Sequence, residues 1–383
     1  MLPTLVLAQL AGTSPWFAVN AVMPDLQRAY GYSEAAVGTL SSALQLGFIA
    51  GTLVFALLAL ADRFSARRLF LLSTLAAAGC TLAAAAMAHS YSGLLVWRVA
   101  TGFCLAGIYP VGMKIAALWF PRGLGTALGW LLGALVLGSA SPYLLRAVGA
   151  ALPWPSVFIA VAVLAVIGGL AVVWLIPEPP PHAGAAPLRL AALTSLWRDA
   201  RTRASVFGYF GHMWELYTVW VLMPLVLATR LQGAVEVAGW AFVVLGAGAV
   251  GCVVGGLVAP RWGSARVAGT QLATSGLCCL AAPWMLAAPL PLFLAWLVLW
   301  GVTVSGDSPQ FSALTAANAP REAVGSVLTL SNSIGFSISA LSIELFVRLL
   351  ATHTLAQLLP WLALGPLLGL IALRPLLQIQ RKT

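Results

Sequence analysis

Long apolar stretches recur along the chain, and short polar stretches or Pro- and Gly-containing turns separate them. Most of them run for about 20 residues or more, the length that a helix needs to cross roughly 30 Å of hydrocarbon. They lack the alternation of apolar and polar positions that a membrane β-barrel strand shows. The pattern therefore predicts an all-α integral membrane protein with twelve transmembrane helices. The predicted spans lie at about residues 3–24, 34–61, 69–89, 92–119, 123–149, 153–176, 206–229, 236–260, 265–288, 290–316, 323–350 and 355–378.

The longest polar stretch covers residues 177–205. It begins with a run of prolines and continues with several arginines, a composition typical of a linker at a membrane surface. We therefore expect a cytoplasmic linker at 177–205 that joins an N-terminal six-helix bundle, residues 1–176, to a C-terminal one, residues 206–383.

The composition agrees with a membrane protein and excludes a soluble one. Hydrophobic residues make up 61% of the 383 residues and charged residues only 8%, and the mean hydropathy is +0.96. Soluble domains contain about 25% charged residues, because a water-facing surface needs them. The first span begins at the initial Met without a basic n-region or a cleavage site, so we expect it to be retained as a helix.

The basic residues are distributed unevenly between the two predicted sides. With both termini inside, fifteen of the 20 Lys and Arg residues fall on the inner side. Four fall on the outer side (Arg28, Arg146, Arg230 and Arg348), and Arg98 lies within a span. This bias predicts cytoplasmic termini in a bacterial-type inner membrane. It also accounts for the net charge of +10 without a nucleic-acid partner.

The cysteines and histidines do not form a recognisable metal motif. All five cysteines fall within predicted spans, there is no Cys-x-x-Cys, and the four histidines are scattered. We interpret the cysteines as reduced packing residues and expect neither a metal nor a cofactor. A soft-metal site built from Cys278, Cys279 and methionines is the alternative.

The two halves of the chain repeat each other. Gly107-Ile-Tyr-Pro110 in the fourth span matches Gly306-Asp-Ser-Pro309 in the tenth, and Pro121-Arg122 matches Pro320-Arg321 at the same offset of 199 residues. Two parallel six-helix repeats with a binding site at their interface are an architecture of secondary transporters.

Two motifs resemble those of the major facilitator superfamily. The loop from Leu58 to Arg68 is similar to the family signature Gly-x-x-x-Asp-Arg-x-Gly-x-Arg-Arg, although Leu58 and Ser65 replace its glycines, and Arg98-x-x-x-Gly102 is similar to a second family motif. The resemblance implies two halves that rock about a central site, which is alternating access. The chain also looks like the cyanate- and nitrate-porter-like bacterial branch, but it lacks the embedded arginines expected for nitrate.

The signature loop contains a cluster of charges. Asp62 stands beside Arg63, Arg67 and Arg68, so we expect the carboxylate to pair with these arginines and to meet the N-terminal dipole of a helix from the other half. Such a cluster can close and release the cytoplasmic gate. The alternative is that the arginines only determine topology.

Charged residues inside the predicted spans are Arg98, Lys114, Glu215, Asp307 and Glu344. Placing such a charge at mid-bilayer costs several kcal/mol of insertion free energy. Each of these residues therefore needs a partner, a water-filled cavity or a function that accounts for its presence. Glu344 has Arg348 one turn later and forms a local pair in the simplest interpretation. Lys114 can reach the interface by snorkelling, and Arg98 can snorkel or cap main-chain carbonyls.

Glu215 and Asp307 are the best candidates for proton coupling. Both lie near the middle of their spans, and Asp307 aligns with Ile108 in the repeat, so the fold itself does not require the acid. His212 precedes Glu215 by three residues on the same helix face, and a His beside a carboxylate exchanges protons near neutral pH. A His–Glu pair that only holds helices together is the alternative.

We expect the substrate to contact polar and aromatic residues of four central spans. These candidates are Asn20, Arg98, Tyr109, Lys114, Tyr209, Asp307, Ser308 and Ser312. Arg98 and Asp307 differ in predicted depth, so we expect no direct pair between them. The serines can instead serve helix packing.

No phosphate-binding loop or hydrolase motif occurs in the chain. The sequence therefore predicts a secondary active transporter and not an enzyme. We expect that ATP does not drive it directly and that nucleic acid is not a partner. We expect a monomer that carries a small organic or inorganic anion together with protons across the bilayer. A proton-driven exporter of drugs, metabolites or metals is the alternative, and a membrane enzyme, channel or receptor is a more distant one.

Overall fold

The computed structural model describes residues 1–120, 123–178, 198–320 and 323–379, and these residues form helices and no strand. The helices up to residue 175 are α1 (Leu2–Thr13), α2 (Ala18–Ala21), α3 (Met23–Tyr30), α4 (Ala36–Leu57), α5 (Leu60–Arg63), α6 (Ala66–Ala86), α7 (Tyr91–Leu105), α8 (Tyr109–Trp119), α9 (Leu124–Val148) and α10 (Pro155–Leu175). The later ones are α11 (Ala200–Ala228), α12 (Ala234–Trp262), α13 (Ser264–Met285), α14 (Leu290–Gly306), α15 (Ser308–Asn318), α16 (Val324–Leu349), α17 (Leu355–Leu358), a 3-10 helix (Leu359–Ala363) and α18 (Leu364–Ile379).

Every predicted span coincides with helical structure. Within the described ranges, ten helical segments are long and apolar enough to cross a membrane, when α7 with α8, α14 with α15, and α17 to α18 are each counted as one segment. Helix α13, the predicted ninth span, is 22 residues long but falls outside these ten. The chain is therefore an all-helical, multi-pass membrane protein, and the count of twelve spans stays a prediction.

The first predicted span, 3–24, is not one continuous helix. Helix α1 ends at Thr13, just before Pro15, whose ring nitrogen has no proton to donate. The hydroxyls of Thr13 and Ser14 donate to the carbonyls of Gln9 (2.9 Å) and Ala11 (2.8 Å). These side-chain bonds satisfy carbonyls at the end of α1, and the chain resumes as α2 and α3.

The predicted linker at 177–205 lies mostly outside the described residues, which omit 179–197. Its last part is helical, because α11 begins at Ala200. Asp199 accepts hydrogen bonds from the main-chain nitrogen (2.9 Å) and the hydroxyl of Thr202. Burial acts to raise the pKa of Asp199, but these hydrogen bonds outweigh it and lower that pKa. The aspartate is therefore a helix N-cap that extends α11 beyond its apolar stretch.

Contacts divide the chain into two compact units. Unit 1 contains Met1–Leu124, Ala134–Gly184 and Val221–Val243, and unit 2 contains Gly125–Gly133, Ala185–Trp220 and Val244–Thr383. Each unit is described by itself below.

Each unit contains a close helix pair that depends on glycine. In unit 1, a Cβ at Gly102 of α7 would lie 1.9 Å from the carbonyl oxygen of Leu44 in α4. In unit 2, a Cβ at Gly301 of α14 would lie 1.9 Å from the carbonyl oxygen of Val244 in α12. No side chain fits at either place, and the two glycines are 199 residues apart. The sequence repeat is thus matched by repeated backbone packing.

Each repeated sequence also interrupts a helix. Helix α7 gives way to α8 around Gly107, and α14 gives way to α15 at Asp307; the second residue of α8 and of α15 is a proline. A polar side chain abuts each break, because a Cβ at Gly107 would lie 1.9 Å from Ser73 Oγ and one at Gly306 would lie 1.7 Å from Gln271 Oε1.

Candidate functional site

Three ionisable side chains are enclosed in unit 2. His212 and Glu215 lie on α11, and Asp307 lies at the break between α14 and α15. Their exposed fractions are 1%, 1% and 0%. These three residues are called the acid–histidine cluster below. Ionisable groups with so little access to water are costly in a membrane protein, so their contacts decide what they can do.

His212 contacts Asp307 and not Glu215. Its Nδ1 lies 2.8 Å from Oδ1 of Asp307, and its Nε2 has no hydrogen-bond partner among the described residues. The rings of Tyr209 and Phe311 lie close by, with centroids 5.9 and 6.1 Å from that of the imidazole. The predicted His212–Glu215 pair is therefore wrong, because the helix break delivers a different carboxylate to the imidazole.

Glu215 is held by donors from two other helices. Its Oε1 accepts hydrogen bonds from Ser275 Oγ (2.5 Å), Trp300 Nε1 (2.8 Å) and Cys279 Sγ (3.1 Å). Three donors on one oxygen stabilise negative charge there. Sequence reasoning missed these partners. Their only signal was a serine and a cysteine within an apolar helix, which is also common at helix–helix contacts.

The two carboxylates therefore have different surroundings. Glu215 accepts three hydrogen bonds on one oxygen, whereas the carboxylate of Asp307 faces a single imidazole among the described side chains. An imidazole and a carboxylate in contact share one exchangeable proton: the pair is neutral overall with the proton and carries one negative charge without it. The geometry of His212 and Asp307 can thus store and release one proton.

The other predicted substrate residues of unit 2 lie nearby on α11 and α15. Tyr209 is 7% exposed and packs against the imidazole of His212. Ser308 and Ser312 are half-buried on α15, which follows Asp307 directly. The two serines therefore stay predicted substrate residues.

Arg98, in unit 1, binds the main chain. Its guanidinium donates to the carbonyls of Trp16 (2.7 Å) and Pro15 (3.3 Å), and the side chain is 2% exposed. Both carbonyls lie where α1 ends, so Arg98 caps an interrupted helix, the second of its predicted alternatives. It contacts no carboxylate among the described residues.

Asn20 and Tyr109 are both buried in unit 1, at 5% and 7% exposure. The amide of Asn20 donates to Ser41 Oγ at 2.8 Å. The ring of Tyr109 stacks on Phe48, with centroids 6.3 Å apart. Each residue therefore joins two helices of the bundle in this structure.

The signature loop forms a different ion pair from the predicted one. Asp62 pairs with Lys114 of α8, which also donates to the carbonyl of Ala61. Arg63 and Arg68 are exposed. The backbone turns at Ala59, with φ 49° and ψ 40°, and α5 then carries Asp62. The predicted Asp62–arginine cluster and the snorkelling of Lys114 are corrected accordingly, since the turn directs the carboxylate to Lys114.

Arg67, the remaining predicted gating residue, points to α10. It donates to the carbonyl of Val173 at 2.9 Å, and its Nε lies 3.9 Å from Glu178. Ser65, which stands where the family signature has glycine, donates to the same glutamate at 2.8 Å. The loop is thus fixed within unit 1 by two separate polar contacts.

Within the described ranges, no group of three His, Cys, Asp or Glu side chains is placed to hold a metal. Cys279 uses its thiol to contact Glu215, and Cys278 is a free buried thiol.

Solved structures share this fold at low sequence identity. The human organic anion transporter MFSD10 (TETRAN) superposes with a TM-score of 0.75 at 16% identity, over 97% of this chain and 98% of that one. FucP, in an outward conformation, gives 0.69 at 16% identity, over 97% of both chains. A bacterial homologue of the human lysosomal transporter Spinster, inward-facing and unoccupied, gives 0.68 at 15% identity, over 97% and 94%.

No curated protein sequence matches the chain. The family model of the Major Facilitator Superfamily, however, matches residues 5–373, almost the entire length. Together with the helical membrane fold, this match identifies a transporter of a solute and not an enzyme. The chain belongs to the Major Facilitator Superfamily.

Proposed function

We propose that this protein is a proton-coupled secondary active transporter that works by alternating access, and that the acid–histidine cluster binds the coupled proton. The observation that carries the proposal is the 2.8 Å contact between His212 and Asp307, two side chains with at most 1% exposure. A buried pair with one exchangeable proton can change its net charge by one unit without any other group moving.

The location of Asp307 links its charge to the shape of the helix. The residue occupies the break between α14 and α15 and is the last residue before α15 begins. An unneutralised carboxylate there attracts polar groups or water, whereas the protonated pair tolerates a dry environment. Protonation therefore favours a dry break, and loss of the proton favours a break that is open to water or polar groups. A difference of this kind is what couples a proton to a conformational change.

Glu215 is the immobile member of the cluster. Its three donors hold the carboxyl group in place. The proton that is exchanged then belongs to the His212–Asp307 pair.

The substrate we propose is a small organic or inorganic anion. The support is Arg98, a buried guanidinium that binds two carbonyls and, among the described side chains, no acid. Its positive charge remains uncompensated, and an anion nearby would compensate it. An exporter of drugs or metabolites on the same fold is the second candidate, and the direction of proton-driven flux distinguishes it from an importer.

The test uses proteoliposomes with an imposed pH gradient and a panel of radiolabelled carboxylates and inorganic anions. We expect accumulation that a protonophore abolishes. Asp307→Asn and His212→Gln should abolish accumulation and keep the exchange of substrate between the two sides. Glu344→Gln is the matched control, because this glutamate pairs with Arg348 at i,i+4 on a partly exposed face. Full accumulation by Asp307→Asn with unchanged pH dependence would contradict the proposal.

We further propose the architecture that the sequence predicts: twelve spans in two bundles, 1–176 and 206–383, with the linker 177–205 and both termini in the cytoplasm of a bacterial-type inner membrane. The support is the distribution of Lys and Arg. We also propose a monomer and an ancestry in the cyanate- and nitrate-porter-like branch. Single cysteines at 185–203, in a cysteine-free background, should resist an impermeant reagent added to intact cells, and efficient labelling would overturn this topology.

A further inference from the structure

A cavity of about 450 Å³ lies within unit 1, and none of the residues of the acid–histidine cluster lines it. Its walls come from α2, α3, α9, α11 and α12 and from the turn between α11 and α12. It is called the Tyr143 cavity here, after the residue on which the argument depends. Its volume falls within the range of small-molecule binding sites, which are mostly apolar and contain a few placed polar groups.

The cavity lies between two helices that contain an internal proline. Pro142 in α9 has no proton for the carbonyl of Gly138, and the hydroxyl of Ser141 donates to that carbonyl instead, at 2.7 Å. Across the cavity, Pro224 of α11 forms part of the wall. Each of the two helices thus contains a proline at or next to a residue of the wall, Pro142 beside Tyr143 and Pro224 in the wall itself.

The hydroxyl of Tyr143 has no hydrogen-bond partner in the part of the chain that the structure describes. Tyr143 lines the cavity and is 1% exposed, and its Oη has no hydrogen bond among the described residues. An unpaired buried hydroxyl costs on the order of one to three kcal/mol in a protein interior. A ligand with an acceptor oxygen would remove this cost.

The two charged side chains in the cavity wall, Asp25 and Arg146, neutralise each other, and the additional positive charge of Arg28 lies outside the wall on a side chain that is 70% exposed to water. Arg146, which lines it, donates to both oxygens of Asp25 at 2.9 and 3.0 Å, and Arg28 binds the same carboxylate at 2.7 Å. A charged ligand would have to leave water without gaining an unpaired opposite charge, which is unfavourable. The remaining wall includes Leu225, Leu231 and Val237 and favours an apolar body.

We propose that the Tyr143 cavity binds an uncharged amphipathic molecule, with an apolar body against the leucine and valine side chains and one acceptor oxygen on the hydroxyl of Tyr143. The site is separate from the acid–histidine cluster, and the inference does not depend on proton coupling.

Benzophenone is a suitable probe, because it is uncharged, carries one carbonyl between two apolar rings and photolabels nearby C–H bonds on irradiation. The full-length protein in lipid nanodiscs would be irradiated at increasing benzophenone concentrations, and adducts would be located by mass spectrometry. We expect saturable labelling in residues 141–146 and 224–238. Labelling there that rises linearly with concentration, as simple partitioning into lipid gives, would overturn the proposal.

Two substitutions separate the contribution of the Tyr143 hydrogen bond to binding from that of the cavity volume. Tyr143→Phe should raise the half-saturating concentration roughly five-fold, since a net hydrogen bond contributes a factor of roughly two to ten to affinity. Ala228→Trp, at an exposed position of the wall, should abolish saturable labelling. Tyr91→Phe and Ala151→Trp are matched controls at exposed positions outside the cavity. Both should leave the saturable labelling unchanged. Gel filtration verifies folding, and Tyr143→Phe remains decisive if the Trp variant fails to fold.

Competing ligands test the chemistry of the site. Diphenylmethane, which lacks the carbonyl, should compete more weakly than benzophenone in the wild type and equally well in Tyr143→Phe. The anion 4-benzoylbenzoate should compete more weakly than benzophenone. Stronger competition by this anion would overturn the assignment to uncharged ligands, and an unchanged half-saturating concentration in Tyr143→Phe would overturn the role of the hydroxyl.

Discussion

The break between α7 and α8 and the break between α14 and α15 have the same packing and different chemistry. Gly107 abuts Ser73 in one, and Gly306 abuts Gln271 in the other. In the first break the residue after the glycine is Ile108, which is fully buried and touches α1 near Gly12. In the second it is Asp307, which contacts His212 of α11.

This difference separates what the fold requires from what it only permits. Both breaks contain a glycine and a proline, and at both glycines a neighbouring side chain leaves no room for a Cβ. Neither needs a charge, since Ile108 fills the equivalent place in the N-terminal half. An acid that persists at such cost in one half alone therefore points to function.

The largest effect should come from removing the close contact that both halves share. Gly102→Val and Gly301→Val each place side-chain carbon 1.9 Å from a carbonyl oxygen, so each should lower the free energy of unfolding by about 3 kcal/mol or more. Thermal melting in detergent and gel filtration measure this. Gly79→Ala is the control, because a Cβ there meets no atom within 4 Å, and it should be neutral or slightly stabilising. If only one of the two valine variants is destabilised, the packing of the halves is not equivalent.

Giving the N-terminal break the acid of the C-terminal one should have the next largest effect. Ile108→Asp buries a carboxylate for which α1 supplies no imidazole, and it should cost about 2–4 kcal/mol. Ile108→Val, the size control, should cost about 1 kcal/mol. Asp307→Asn should cost at most about 1 kcal/mol, because the amide keeps the size and an acceptor for His212. The same thermal melts compare the three, and an Ile108→Asp variant as stable as Ile108→Val would remove the argument that the acid is costly.

Much of the helical fold can be predicted from sequence, because apolar length and proline position are local properties. The partners of the polar groups are not local. Asp62 and Lys114 lie 52 residues apart in sequence, and Glu215 and Trp300 lie 85 apart. In both cases the sequence analysis chose an ionisable residue close in sequence as the partner, and that choice was wrong. His212 is an instructive example: its spacing to Glu215 is helical, yet the break at Asp307 places another carboxylate closer.

The signature loop and the corresponding segment of the second half differ as well, and this difference gives a smaller effect. The Asp62–Lys114 pair has no counterpart in the second half, where Pro260 and Ala313 align with it. Asp62→Asn and Lys114→Met should each lower the rate of transport several-fold, with a loss of at most about 1 kcal/mol in stability because the pair is partly exposed. The double variant should be no slower than either single one. Additive losses in uptake rate would show that the two residues act independently.

The smallest effect should come from the turn that presents Asp62. Helix α12 runs without interruption to Trp262, whereas the corresponding part of the first half turns at Ala59 with φ 49°. An alanine in this left-handed conformation is strained, so Ala59→Gly should stabilise the protein by roughly 1 kcal/mol in thermal melts. Ala56→Gly, in the regular part of α4, should instead destabilise it by a similar amount. Destabilisation by both would mean that the turn is not strained.

The bond between Trp300 and Glu215 also has an optical consequence. On excitation, the indole ring shifts electron density away from its pyrrole nitrogen, and that nitrogen lies 2.8 Å from the carboxylate oxygen. A negative charge at this position lowers the energy of the excited state and moves the emission to longer wavelength. The emission difference between the wild type and Trp300→Phe therefore follows the charge of Glu215 directly, and the protein carries its own fluorescent reporter of the buried acid.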